Sequence, residues 1–135
     1  MNNNPYILYI EDERPMLELV RQALKLAGHD VTGVLTGRQG IELMRQSPPG
    51  LVLLDLMMPD FNGWDVFSSM KEDEQLSKVP VIVVTAKIPS QGRTVIRGLP
   101  PADDYITKPF DGERLIRSVQ NLLPAGSSSA PATAA

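Results

Sequence analysis

The sequence predicts an α/β domain: a five-stranded parallel sheet with helices on both faces, doubly wound. Two observations predict it. Three short runs of aliphatic and β-branched residues, 6–10, 51–56 and 79–84, end in polar residues, the pattern of strands buried on both faces. Segments of helical length alternate with them, and right-handed crossovers between parallel strands then place helices on both faces.

Taken in order, residues 6–10 (YILYI) form the first strand. Residues 14–27 repeat Met16, Leu17, Val20, Leu24 and Ala27 near a helical period, with Pro15 suited to the first turn and Gly28 to the C-terminal cap. A weaker strand, 30–35 (DVTGVL), follows. The next helix, 38–46, carries Ile41, Leu43 and Met44 and is stopped by Pro48, Pro49 and Gly50. After the strand at 51–56, Pro59 and Gly63 shape a turn into a helix at 64–73 built on Trp64, Phe67 and Met70. The strand at 79–84 leads to IPSQGRTVIRGLPP, where Pro89, Gly92, Gly98, Pro100 and Pro101 predict a short or mobile fourth helix. Residues 104–107 (DYIT) supply the fifth strand. The last helix, 111–123, opens on Asp111 as N-cap, repeats Leu115, Val119 and Leu122 or Leu123, and ends at Pro124. The chain thus divides into an N-terminal tail (1–5), one domain (6–123) and a flexible Ala/Ser/Pro-rich tail or truncated linker (124–135), too poor in large apolar residues to order itself.

Composition narrows the chemistry. With 135 residues, 42% of them hydrophobic, the chain sustains one core, since a domain of this size buries about two-thirds of its unfolded surface. It has no Cys and one His, which removes thiolate nucleophiles, Cys-based zinc or iron–sulfur sites and His-rich metal cages. Any metal here is hard and oxygen-bound. The start has no basic n-region, and the longest apolar run is broken by Asp55, so neither a signal peptide nor a membrane span is expected and a cytoplasmic location is the default. A net charge of -3 without a basic block argues against direct nucleic-acid binding. His29 reads as a surface cap at a helix end, Trp64 as a partly buried anchor, and Arg93 and Arg97 as a solvated face.

In sheets of this kind ligands bind at the carboxyl ends of the strands. The first strand ends in Glu11-Asp12-Glu13, the third in Asp55, the fourth in Thr85-Ala86, and the fifth runs into Lys108-Pro109. Glu13 alone reads as an N-cap or solvated turn. Asp55, inside LVLLDLMM, needs a cation or hydrogen bonds to offset its burial. Glu11, Asp12 and Asp55 repel one another until a divalent cation joins them, and an oxygen-only donor set completed by water and phosphate suits Mg²⁺.

ILYIEDE, LVLLDLMMPDFNGWDVF, VIVVTAK and DDYITKPF, in that order and each at a strand end, resemble the receiver domain of two-component response regulators over residues 6–123. The resemblance implies a flavodoxin-like fold and a set of roles. Asp55 matches the phosphoacceptor, which takes a phosphoryl group from the phosphohistidine of a sensor histidine kinase or phosphotransfer protein. Asp12 matches the direct metal ligand, Glu11 its neighbour acting through water, and Met57 the position lending a backbone carbonyl. Thr85 and Lys108 match the hydroxyl and ammonium that bind the phosphoryl group, and Ala86 the small residue that leaves it accessible. Tyr105 matches the aromatic that turns inward with Thr85, Lys108-Pro109 the family's cis peptide, and Met57 and Lys87 flank the path of the water that resets the switch.

On this resemblance the chain is a signalling switch with slow self-dephosphorylation rather than an enzyme. Its output is a surface of the fourth helix, fifth strand and last helix, which regulates a downstream protein target. A Mg²⁺-dependent phosphohydrolase is a second reading, but the second Asp such enzymes carry would fall at Met57. A degenerate domain acting only through contacts is a third, against which stand Glu11, Asp12, Asp55, Thr85 and Lys108. LPPADDY departs from the family's usual Gly-Ala before the acidic pair, which bears on the output surface and not on the phosphorylation site.

Overall fold

The computed structural model describes residues 6–56, 63–85, 101–108 and 110–123. The expectations for Met57, Pro59, Ala86, Lys87 and Pro109, for the fourth helix with Arg93 and Arg97, and for both tails lie outside the described residues. Five parallel strands, β1 (Ile7–Ile10), β2 (Val31–Val34), β3 (Leu51–Asp55), β4 (Val81–Thr85) and β5 (Asp104–Thr107), form one sheet in the order β2-β1-β3-β4-β5. The strand order reverses between β1 and β3, so their carboxyl ends frame the crevice where such sheets hold ligands. Ile10 pairs with Leu54, Asp55 with Val84 and Thr85 with Thr107, which brings the polar strand ends to one rim.

Four α-helices are described, α1 (Arg14–Leu26), α2 (Gly37–Gln46), α3 (Gly63–Glu72) and α4 (Gly112–Leu122), with a short 3₁₀ turn at Leu76–Lys78. Strand side chains alternate between two cores. Leu8, Ile10, Val52, Leu54, Val81 and Val83 pack with Ile41 and Met44 of α2 and Val66, Phe67 and Met70 of α3. Ile7, Tyr9, Leu51, Leu53, Ile82, Val84 and Ile106 face Leu17, Val20 and Leu24 of α1 and Leu115 and Val119 of α4. Each buried aliphatic side chain adds about 1.5–3 kcal/mol relative to its exposed state, so both faces of the central strands are fixed by their apolar runs.

The helix ends follow from local chemistry. Pro15 sits in the first turn of α1. At its other end Gly28 adopts φ 95°, and the Gly28 and His29 N–H groups donate to the Lys25 and Leu24 carbonyls, the paired closure that glycine permits. Thr36 Oγ1 and Asp111 Oδ1 accept from Gln39 N and Glu113 N, both at 3.1 Å, capping α2 and α4. The 3₁₀ turn had no counterpart in the predicted elements; Asp73 Oδ1 starts it by accepting from Gln75 N and Leu76 N. Among the described residues no helix is long and apolar enough to cross a membrane.

Candidate functional site

Glu11 and Asp12 leave β1 as Asp55 ends β3, and one carboxylate oxygen from each lies within 4.8 Å of the others. Glu11 and Asp55 are buried, Asp12 exposed. Lys108, at the exit of β5, reaches across the strand ends: Nζ lies 2.8 Å from Glu11 Oε1 and 3.3 Å from Asp55 Oδ2. Its backbone N–H donates to the Thr85 carbonyl at 2.9 Å, which fixes the β5 exit against the end of β4. Thr85 itself is 1% exposed. Sequence-predicted Glu11, Asp12, Asp55, Thr85 and Lys108 therefore share one rim.

Glycine sets how close α3 comes to this rim. A Cβ on Gly63 would lie 2.8 Å from both the Asp55 carbonyl oxygen and Leu56 Cα, closer than a side chain can approach backbone. The Gly63 N–H donates to the Leu56 carbonyl at 3.3 Å. Leu56, just after β3, is thereby held against the first residue of α3.

Tyr9 is the site residue that the reading of the strand ends did not include. It stands two positions before Glu11 on the same face of β1, is fully buried, and donates its hydroxyl to Glu11 Oε1 at 2.8 Å. A tyrosine inside an otherwise aliphatic strand was the available signal, because a buried phenol needs a polar partner. Glu13 contributes its backbone N–H to Glu11 Oε2 at 3.2 Å.

Burial raises the Glu11 carboxyl pKa above its ordinary value, against the opposing hydrogen bonds from Lys108 and Tyr9. For Lys108, burial pulls the ammonium down, but the Glu11 hydrogen bond and the Asp55 and Glu11 charges outweigh it and hold the pKa above its usual value. The Tyr9 phenol is pushed far up by burial and by the Glu11 charge, so it remains a donor. Three carboxylates against one ammonium leave a formal excess of negative charge, and oxygen donors in a tight group fit a hard divalent cation such as Mg²⁺.

Tyr105 lies on β5, half-buried against the α2/α3 core, and its hydroxyl accepts from Ala102 N at 2.8 Å. Beside it, Arg114 of α4 forks onto Asp104 at 3.0 and 3.1 Å. Trp64, expected as a partly buried anchor, is instead exposed at 40%, and the buried side of α3 is Val66, Phe67 and Met70. His29 differs from expectation: its backbone caps α1, but the ring is partly buried and Nε2 has no partner among the described residues.

Residues 7–120 match the family described as the response regulator receiver domain. The chain is 39% identical over 120 residues to the DNA-binding dual master transcriptional regulator RpaA of Synechocystis sp., covering 88% of this chain and 49% of that protein. It is 34% identical to protein PilH of Pseudomonas aeruginosa, covering 87% of this chain and 96% of that one. The chain spans about half the length of most of the curated relatives it matches. Among solved structures, the signal receiver domain of a signal transduction histidine kinase from Syntrophus aciditrophicus superposes with a TM-score of 0.79 at 31% identity, over 96% of this chain and 94% of that one. A sensor protein from Polaromonas sp. JS666 gives 0.79 at 25% identity, over 89% and 96%. From the strand-end carboxylates, the lysine that joins them and these matches together, the chain belongs to the receiver domain family of two-component response regulators.

Proposed function

We propose that this chain is a phosphorylation-controlled switch whose phosphoacceptor is Asp55. The observation that carries the reading is the Lys108 ammonium held between Glu11 and Asp55 at the ends of the central strands. A phosphohistidine of a sensor histidine kinase or phosphotransfer protein is the donor. An Asp55 oxygen attacks phosphorus, the P–N bond breaks with its electron pair leaving on the imidazole, and a P–O bond forms the acyl phosphate. Lys108 and the Thr85 hydroxyl stabilise the charge that spreads over the phosphoryl oxygens, and Ala86 leaves room for the group.

Receiver domains are generally Mg²⁺-dependent, and here Glu11, Asp12, Asp55 and the Met57 carbonyl would hold the ion, which neutralises charge at the phosphoryl oxygens. Engagement of Thr85 and Lys108 by the phosphoryl group shifts a pre-existing equilibrium, with Tyr105 following and the surface around β5 and α4 changing toward a downstream protein. The working unit is residues 6–123, acting in the cytoplasm without direct contact to nucleic acid or membrane. Self-hydrolysis is slow, because the receiver resemblance gives Met57 and Lys87 the positions beside the path of the attacking water and an apolar Met57 positions none.

Mg²⁺ and acetyl phosphate should add one phosphoryl mass to the wild type and none to Asp55→Asn. Label retained in Asp55→Asn overturns the assignment. Met57→Asn should shorten the lifetime of the label; equal decay in the two proteins would remove the shielding role.

A further inference from the structure

The Glu11 carboxylate has no solvent exposure and is held by three donors: Tyr9 Oη and Lys108 Nζ, each 2.8 Å from Oε1, and the Glu13 N–H, 3.2 Å from Oε2. Two of these stay in place with their elements, Tyr9 on β1 and the Glu13 N–H at the start of α1. The third arrives on a flexible side chain from β5 that also contacts Asp55 at 3.3 Å. If Asp55 is the phosphoacceptor, Lys108 must shift its hydrogen bonds from Glu11 to the phosphoryl group. That shift removes the charged donor from Oε1; the divalent cation offsets the charge of the carboxylate group, and the Tyr9 hydroxyl is the protein donor that stays on this oxygen. A buried carboxylate oxygen stripped of donors is strongly unfavourable. The Tyr9 hydroxyl is placed to prevent this, since it shares the oxygen with Lys108 and sits on the fully buried side chain two residues away.

We propose that Tyr9 is a positioning residue for phosphoryl capture: its hydroxyl keeps Glu11 satisfied and in place while Lys108 transfers from Glu11 to the phosphoryl group on Asp55. Tyr9 touches neither the donor nor the phosphorus, and acts through Glu11 and Lys108. The inference rests on the proposed role of Asp55. It assigns this chain's tyrosine a task that the aliphatic residues flanking it in β1 cannot perform, because they carry no donor.

Beryllofluoride with saturating Mg²⁺, an acyl-phosphate analogue, is the probe. Tyr9→Phe keeps the ring and deletes only the hydroxyl, so the free protein, in which Lys108 still serves Oε1, should melt close to the wild type. Its beryllofluoride affinity should fall about tenfold, the scale of one hydrogen bond to a charged group. In a Lys108→Ala background there is no ammonium to release, and adding Tyr9→Phe should change the affinity no further. An affinity within twofold of the wild type, or an equal loss in both backgrounds, overturns the proposal; the second pattern is that of a merely structural residue. Wild-type protein labelled with ¹³Cζ-tyrosine gives an independent reading: the Tyr9 resonance should move as its hydroxyl becomes the principal donor to Oε1. An unmoved Tyr9 resonance in a protein that binds beryllofluoride overturns the proposal. A wild type that neither binds the analogue nor takes label at Asp55 removes the role of Asp55 itself.

Discussion

Lys108 lies closer to Glu11 than to Asp55, 2.8 Å against 3.3 Å, and Glu11 is the carboxylate with no solvent exposure. The ammonium therefore serves as the resting counter-charge of the site. Lys108→Ala removes it, and loss of one partner of a buried pair costs about 3–5 kcal/mol; the donors remaining from Tyr9 and Glu13 should reduce this to about 2 kcal/mol. The melting temperature should fall, and Mg²⁺ should restore more of it than it adds to the wild type, because the cation then carries the whole neutralisation. Thermal unfolding with and without Mg²⁺ measures both; equal Mg²⁺ increments in the two proteins would contradict the shared role.

Gly63→Ala tests the closure of α3 onto the site. Its Cβ would meet the Asp55 carbonyl oxygen and Leu56 Cα at 2.8 Å, and backbone atoms cannot swing aside as a side-chain tip can. Overpacking of this kind costs about 1–3 kcal/mol. The displaced end of β3 carries Asp55 with it, so Mg²⁺ affinity should fall together with stability. Calorimetric Mg²⁺ titration beside urea unfolding would show whether the two losses coincide.

What could be read from the sequence was what each strand fixes for itself. The apolar runs gave β1, β3 and β4 because burial on both faces permits few polar residues, and Asp111 and Gly28 marked helix ends by their own chemistry. The rim residues followed because parallel strands deliver their last residues to one side. Contacts between elements far apart in sequence were not legible. Nothing local to Tyr9 says that Glu11 shares an oxygen with Lys108, and nothing local to Asp104 says that Arg114 and Ser118 of α4 will meet it. His29 went wrong in the same way: the cap was readable from Gly28, but the partial burial of the ring depends on what packs over it.

His29 makes stability pH-dependent near neutrality. Burial lowers its pKa below the ordinary 6.5, against the opposing charge of Asp30. With the folded value depressed, the unfolded chain takes up the proton first as pH falls, so the stability contribution is present above 6.5 and is lost as pH drops through that value and toward the folded one. His29→Phe should remove this slope. Urea midpoints of the two proteins compared between about pH 7.5 and 5.5 should diverge with pH; parallel curves would mean that the ring is as accessible to protons folded as unfolded.

Asp104 shows the opposite case, a carboxylate favoured in its charged form. The Arg114 fork holds its pKa below the ordinary 3.8, burial opposes this, and Ser118 Oγ and the Tyr105 N–H add to the lowering. Arg114 also donates to the Tyr105 carbonyl at 3.4 Å, so the clamp ties α4 to β5 at the residue proposed as the switch. Because the folded value is depressed, the stabilisation is complete above 3.8 and is lost as pH falls through the folded value. Asp104→Asn should be less stable than the wild type near pH 7, and the difference should shrink as pH falls from about 4 to 2. Arg114→Lys keeps the charge but not the planar two-point grip, so it should lose part of the clamp while retaining the same sign of pH dependence. Unfolding midpoints of the three proteins at matched ionic strength test this. A wild-type to Asp104→Asn gap that stays constant through the acid range would show that the Arg114 pair contributes nothing to holding α4 on β5.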